Sequence, residues 1–342
     1  MNMDTQTLPA LFALLTKLDS EENTQTAAAT QAALDHLNTT ATKTGFELFS
    51  LENYAQAELP LTVAAAQGNA EAQYALATCV SSRDGGFRRA SEATRKWLWL
   101  AAAQNHVPAL MRLGDAASLK KANELLTPAA LAGDAEAMVL LFKLTDEVKW
   151  LSMAVAKNHH HAQFLLAVAY RKTPDLVPNS VERSALIEEL LQKAADGNDM
   201  LALADRVFPS DSTADVKEKQ HRLIQLAQLG QIDALLEYGY ALAHLPRSGK
   251  GTSNFPRRHA TAARTYGLEK DLARAYATLN FVMPKLASDA QAEVLAQDLD
   301  AIRHQMNPTQ FAGAERIDHD LKRIIPSLFK SMERLIIVGA PY

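Results

Sequence analysis

Apolar residues in the middle of the chain recur at helical spacing around a small turn residue, and this pattern is repeated six times. A leucine stands seven positions before each turn residue, and a small apolar residue stands three before it. Four positions after the turn comes an alanine in every copy except the fifth, where Leu201 stands. Such offsets place side chains on one face of a helix, so the pattern predicts six antiparallel helix pairs. The turn residues are Gly68, Asn105, Gly133, Asn158, Gly197 and Gly230.

The turns themselves have the chemistry of helix ends. Glycine and asparagine suit a helix C-terminus that needs a left-handed backbone residue. Asn69, Asp134 and Asn198 follow their turn residues, and we expect their side chains to cap the second helices. A single pair cannot bury its apolar face alone, so the pairs must stack. The sequence therefore predicts an all-α solenoid.

Two stretches carry a resemblance to a known repeat family. Lys96-Trp97-Leu98, followed by Ala102-Ala103 and Leu113-Gly114, is one, and Lys149-Trp150-Leu151 begins the other. On these motifs the chain resembles the Sel-1-like repeat family, a relative of the tetratricopeptide repeats, over roughly residues 55–315. The resemblance implies a superhelix of stacked antiparallel helix pairs. It also implies that the second helices line a concave wall, which binds another protein.

The pattern divides the chain into five predicted regions. The repeats cover 59–243, and a basic loop rich in glycine, serine and proline covers 244–262. A helical pair is expected at about 260–304, followed by a helix that begins near Pro308. The regions are an N-terminal helical cap at 1–58, the repeats at 59–243, the loop at 244–262, terminal repeat-like helices at 263–314, and a C-terminal capping helix with a tail at 315–342.

Composition narrows the function classes. The net charge of −4 argues against a general nucleic-acid binder, which is usually strongly basic. Cys79 is the only cysteine, so no disulfide can form within the chain, and its place on an apolar helix face predicts a buried thiol. No apolar run is long enough to span a bilayer, and the apolar segment Leu8–Leu15 lacks a basic residue before it. We therefore expect a cytoplasmic protein without a membrane partner.

Few residues suggest chemistry. The triplet His159–His161 could suggest a metal site, but adjacent helical residues point in different directions, so we expect a solvated turn. Gly249–Thr252 lacks the spacing of a phosphate-binding loop. Trp97 and Trp150 share one repeat position, which favours packing, whereas Trp99 breaks that register and is the better surface candidate. We predict no catalytic residue, no cofactor and no metal.

The predicted function is recognition of another protein by exposed residues of the second helices. Two roles fit: an adaptor of a bacterial complex, or an immunity-type protein that inhibits a toxin or effector. An enzyme or small-ligand protein would need an enclosed pocket, and a nucleic-acid binder would use the basic stretch at 247–264. Helical phase selects these wall residues: Tyr74, Met111, Asp115, Lys143, Gln163 and Tyr240.

Overall fold

The computed structural model describes the backbone of residues 24–50, 53–83, 91–208, 215–245, 262–286 and 289–325. These residues form 17 α-helices and two short 3₁₀ turns, with no β-strand among them. The predicted all-α fold is thereby confirmed. The apolar segment Leu8–Leu15, most of the predicted basic loop and the chain beyond Ile325 lie outside the described residues.

The chain divides into two compact units, Met1–Leu125 and Leu126–Tyr342. In the first unit, each of the helices α1 to α4 packs against the helix that follows it. Its core is built from alanine and leucine side chains around Leu61 and Leu76, with Cys79 among them. The helices are α1 (Thr24–Ser50), α2 (Tyr54–Ala66), α3 (Ala70–Arg83), α4 (Glu92–Ala103), α5 (Val107–Leu113) and the start of α6 (Ala116–Leu131).

In the second unit, successive helices from α7 to α13 also pack each against the next. The arrangement then changes, because α13 packs on both α14 and α15, and α15 packs on both α16 and α17. The helices are α7 (Ala135–Thr145), α8 (Val148–Ala156), α9 (His160–Lys172), α10 (Ser180–Asp196), α11 (Met200–Val207), α12 (Val216–Gln228), α13 (Ile232–Ala243), α14 (Ala262–Tyr266), α15 (Leu272–Val282), α16 (Asp289–Arg303) and α17 (Pro308–Ile324). The 3₁₀ turns are Pro174–Leu176 and Met283–Lys285.

One turn geometry recurs in all six copies. In each copy the left-handed residue, at position i, donates its N–H to the carbonyl of residue i−3. The residue that follows it, i+1, donates its N–H to the carbonyl of residue i−4. This is the Schellman arrangement, which satisfies the last carbonyls of the first helix. The residue after the left-handed one then caps the second helix, accepting a hydrogen bond from the N–H three positions on. The capping residues are Asn69, His106, Asp134, His159, Asp199 and Gln231.

The fifth turn corrects the predicted register by one residue. Gly197 has a φ of −83°, and Asn198 is the left-handed residue, with a φ of 63°. Asp199 therefore caps α11 in the role predicted for Asn198. Glycine is needed at 197 for a different reason, because a Cβ there would lie 2.1 Å from the imidazole ring of His160. Counted from Asn198, the fifth copy also has an alanine four positions after its turn, the fully buried Ala202.

Two columns of side chains hold the helix pairs together. The leucine seven positions before each left-handed residue is buried in every copy, and so is the alanine four positions after it. Alanine is small enough to let packed helices approach closely, while the larger leucine fills space within the core. The leucines are Leu61, Leu98, Leu126, Leu151, Leu191 and Leu223; the alanines are Ala72, Ala109, Ala137, Ala162, Ala202 and Ala234.

The C-terminal part departs from the predicted helical pair at 260–304, because three α-helices occupy it. Gly267 ends α14 with a φ of 60°, and the Asp271 side chain then caps α15. Pro284 stands in the 3₁₀ turn that follows α15. The next helix starts at Pro308, as predicted, with a capping box between Asn307 and Gln310.

Candidate protein-interaction surface

Tyr74 lies where the second helices of the first two copies meet. Its ring centroid is 4.9 Å from that of His106, and the Arg112 guanidinium carbon lies 5.9 Å from it. Arg112 also donates a hydrogen bond of 2.7 Å to the Thr78 hydroxyl, which fixes the cation over the ring. Burial raises the pKa of Tyr74, and burial lowers the pKa of Arg112. The three side chains form a half-buried patch across α3 and α5 that combines an aromatic face with a cation.

Met111 and Asp115 follow Tyr74 along the chain, but their side chains are not equally available to a partner. Met111 is half-buried beside Arg112 on α5. Asp115 begins α6, because its carboxylate accepts hydrogen bonds from the Ser118 N–H at 3.0 Å and from the Ser118 hydroxyl at 2.6 Å. These bonds, that of the hydroxyl first, lower the pKa of Asp115. Part of the Met111 surface is thus exposed, whereas the Asp115 carboxylate is occupied by capping.

Lys143 lies on α7 in the second unit. Its side chain is half-buried, and burial lowers the pKa of Lys143 while the Glu136 carboxylate opposes that shift. Among the described residues, no carboxylate lies within ion-pair distance of its ammonium group. A partly desolvated cation of this kind gains more from an incoming carboxylate than a fully hydrated one does.

Gln163 and Tyr240 do not reach the surface. Only 2% of Gln163 is exposed, and its Oε1 lies 3.3 Å from His160 Nδ1. Tyr240 is 7% exposed and donates a 2.7 Å hydrogen bond to Asp298, while burial raises the pKa of Tyr240. Both were predicted on the exposed wall from helical phase. Helix α9, which carries Gln163, packs on both α8 and α10, and helix α13, which carries Tyr240, packs on α12, α14 and α15, so the buried face of each is wider than one amphipathic stripe.

Three histidine–carboxylate contacts join consecutive copies at equivalent positions. In each contact, the residue three positions after the left-handed residue of one copy meets the residue that caps the second helix of the next copy. Glu71 meets His106 at 2.8 Å and Glu136 meets His159 at 3.0 Å. In the third pair the two types are exchanged, because His161 meets Asp199, also at 3.0 Å. We call these contacts the inter-copy pairs. The same geometry therefore accepts either orientation of acid and histidine.

The histidine triplet is divided among separate partners. His159 caps α9 and pairs with Glu136, His160 lies near Gln163, and His161 pairs with Asp199. The rings therefore do not converge on one point, and two of them join copies rather than standing in a solvated turn. Across the part of the chain that the structure describes, no three His, Cys, Asp or Glu side chains form a group able to hold a metal. Within the same residues, no helix combines the length and apolarity needed to cross a membrane.

The three tryptophans and Cys79 have the burial that their positions in the repeat predict. Trp150 is buried and donates to Glu147, while Trp97 is half-buried against the first unit's core. Trp99 leaves 50% of its surface exposed. Cys79 is only 1% exposed, and burial raises the pKa of its thiol to about 12. A thiol with so high a pKa is not a nucleophile near neutral pH.

Arg206 is a buried charged residue that the sequence pattern does not predict. It stands eight positions after Asn198, where four other copies have leucine, and it is 6% exposed. Its guanidinium donates to Glu188 at 2.5 Å, to Glu218 at 2.5 and 3.0 Å, and to Gln192 at 3.2 Å. Burial opposes the charge, but the hydrogen bonds to the two carboxylates outweigh it and raise the pKa of Arg206. Its four hydrogen bonds reach Glu188 and Gln192 on α10 and Glu218 on α12, so the residue ties α10, α11 and α12 together.

Comparison with known proteins gives matches among solved structures. No family model matches the chain, and no curated protein matches it. One similar structure is a protective antigen present in uropathogenic Escherichia coli strains, described as displaying an SLR fold, with 15% identity and a TM-score of 0.41. That alignment covers 89% of this chain, which in turn spans 64% of the antigen's length. Another is a Sel1 repeat protein from Oxalobacter formigenes, with 18% identity, a TM-score of 0.28, and coverage of 78% of this chain and 89% of that one. Sel-1-like repeat proteins are thus among the structures to which the chain is similar, as its motifs implied.

Proposed function

We propose that this protein is a non-catalytic interaction scaffold, an adaptor that binds another protein through exposed side chains of its second helices. The observation that carries the proposal is a contrast between two sets of positions. The leucine and alanine columns are the same in all six copies, whereas the half-buried second-helix positions Tyr74, Met111 and Lys143 carry different side chains.

The variable positions have the chemistry of a recognition surface. Ten residues after the left-handed residue, the first three copies carry the half-buried Thr78, Asp115 and Lys143 in turn. Six residues after it, the first two copies carry Tyr74 and Met111, both half-buried. Tyrosine and methionine provide large contact areas at interfaces, and partly desolvated charges such as that of Lys143 add specificity. Uniform packing with a varied surface is what a repeat protein needs to recognise one partner.

The test is affinity capture with the full chain from native lysate, followed by quantitative mass spectrometry of wild type and variants. Met111→Glu and Lys143→Glu each place a carboxylate on the proposed surface, and we expect each to reduce recovery of the same captured protein at least about tenfold. Lys121→Glu is the matched control, because Lys121 is exposed on the first helix α6. Asp115 is not changed, since its loss would remove the cap of α6.

The melting temperature of each variant separates lost binding from lost folding. If Lys121→Glu reduces recovery as much as the other two changes, or if none of the three affects it, the second helices are not the binding surface. The identity of the captured protein also decides the role within this class. A toxin or effector as partner would make the protein the immunity-type inhibitor that the sequence also allows.

A further inference from the structure

The outer face of α4 carries a second feature, separate from the second helices. Glu92, Arg95, Lys96 and Trp99 line an open depression with a volume of about 510 Å³. Residues at this spacing lie on one face of a helix and span about 10 Å along its axis. We call these four residues the α4 stripe.

The helix that carries the α4 stripe is capped at its start and packed on its opposite face. On the opposite face of the helix, Leu98 and Ala101 are fully buried in the first unit. The helix start is fixed by Ser91, whose hydroxyl accepts a hydrogen bond from the Thr94 N–H at 3.2 Å. α4 also packs on both α3 and α5. The stripe is therefore held in place before any ligand arrives, which lowers the entropic cost of binding.

The charges of the stripe are not neutralised by the fold. Arg95 and Lys96 are exposed, and neither forms an ion pair with another described residue. Directly beyond them, Trp99 is 50% exposed and the neighbouring Leu100 is 41% exposed. Exposed tryptophan beside arginine is the composition of binding hot spots. An arginine also bonds a carboxylate through two parallel hydrogen bonds.

We propose that the α4 stripe binds a short acidic segment of a partner protein that also carries an aromatic or aliphatic side chain. The carboxylates of the segment lie on Arg95 and Lys96, and its apolar side chain packs on Trp99. At about 3.3 Å per extended residue, a segment of three or four residues spans the stripe. This site lies on a first helix and does not depend on the function proposed for the second helices.

The stripe favours an acidic peptide over a nucleic acid. Glu92 lies at one end of the same depression and would repel a continuous phosphate backbone. A peptide can place its acidic side chains away from Glu92, because its backbone is neutral.

A differential selection tests the proposal. A phage-displayed library of random octapeptides is selected on the immobilised full chain and, in parallel, on Trp99→Ala, Arg95→Glu and Lys121→Glu variants. We expect peptides that are recovered on the wild type and on Lys121→Glu, but lost on the other two, to combine Asp or Glu with Phe, Trp, Tyr or Leu. Lys121 is again the control, as an exposed lysine outside the stripe.

The consensus peptide is then labelled with fluorescein and titrated by anisotropy. Trp99→Ala and Arg95→Glu should each weaken binding at least about tenfold, and added salt should weaken it further. Either of two selection results overturns the proposal: no peptide is lost with Trp99→Ala, or the peptides that are lost are basic. Trp99-dependent binding of a labelled single-stranded oligonucleotide that is tighter than binding of the peptide overturns it as well.

Discussion

Gly239 offers the sharpest test of the helix packing in the second unit. It lies inside α13, buried where α13 packs against α15. A Cβ added at this position would stand 2.6 Å from Leu279 Cγ and 2.7 Å from Leu279 Cδ2. Leu279 is itself fully buried, so its side chain cannot turn away into solvent. Gly313 in α17 is the matched control, because the nearest heavy atom to its added Cβ is Ala273 Cβ at 3.7 Å, an ordinary contact.

The two substitutions should change the free energy of unfolding with opposite signs. Alanine in place of glycine inside a helix gains about 1 kcal/mol from helix propensity. At Gly239 both new contacts are about 1 Å shorter than the usual carbon–carbon separation of about 3.5–4.0 Å. Overpacking costs about 1–3 kcal/mol, and two such contacts with a buried leucine place this site at the upper end. We therefore expect Gly239→Ala to lose about 2 kcal/mol and Gly313→Ala to gain up to about 1 kcal/mol.

Urea unfolding followed by far-UV circular dichroism measures the difference. Stacked helix pairs need not unfold in one step, so the curves are also compared by tryptophan fluorescence. The double variant Gly239→Ala with Leu279→Ala provides the internal check. In a background that already has Leu279→Ala, the new methyl group occupies the vacated space, so Gly239→Ala should be neutral or stabilising. If Gly239→Ala instead stabilises the wild type as much as Gly313→Ala does, α13 and α15 do not approach closely at Gly239.

Three further predictions concern single contacts. Arg206→Ala should cost about 3 kcal/mol in urea unfolding, because it removes a buried side chain and leaves a cavity between the helices, whereas Arg171→Ala, which removes an exposed pair, should cost less than about 1 kcal/mol. The double substitution Glu136→His with His159→Asp reverses the second inter-copy pair, so that it matches the third. We expect the double variant to lose less melting temperature than Glu136→His alone, and equal losses would refute this. Because its thiol pKa is about 12, Cys79 should not react with Ellman's reagent at about pH 8 until urea unfolds the chain, and rapid reaction of the folded protein would contradict its burial.

The turns and the packing columns could be predicted because their causes are local. A glycine or asparagine that adopts positive φ, a capping side chain next to it and apolar residues at helical offsets all lie within a few residues of one another. The exception is the fifth turn, where Gly197 and Asn198 compete for the left-handed position. The reason for glycine at position 197 is the close approach of His160, which lies on an earlier helix and is not contained in any local pattern.

The surface was harder to predict because burial depends on the neighbouring copy. Trp99 was recognised as exposed, since it breaks the register that Trp97 and Trp150 share. Gln163 and Tyr240 were placed on the exposed wall by phase within their own helices, but the helices packed on either side bury them. Their side chains stabilise the second unit, and the proposed surface therefore rests on Tyr74, Met111 and Lys143.

An error of one residue in the position of the fifth turn explains why the sequence pattern does not predict Arg206. With the turn placed at Gly197, the position eight residues later is Asp205, which pairs with Arg171 at the surface. With the turn at Asn198, that position is Arg206, inside the stack. Only the correct left-handed residue shows that an arginine with several acceptors replaces the usual leucine there.

The central claim is that this protein works by binding another protein along its second helices, and site-specific photocrosslinking tests it most directly. A photoreactive phenylalanine analogue replaces Met111, Lys143 or, as the control, Lys121 in the full chain within its native cells. We predict that irradiation gives a discrete adduct with the same partner protein from positions 111 and 143 and none from position 121. Adducts that are identical at all three positions, or that form at 121 alone, would contradict the claim.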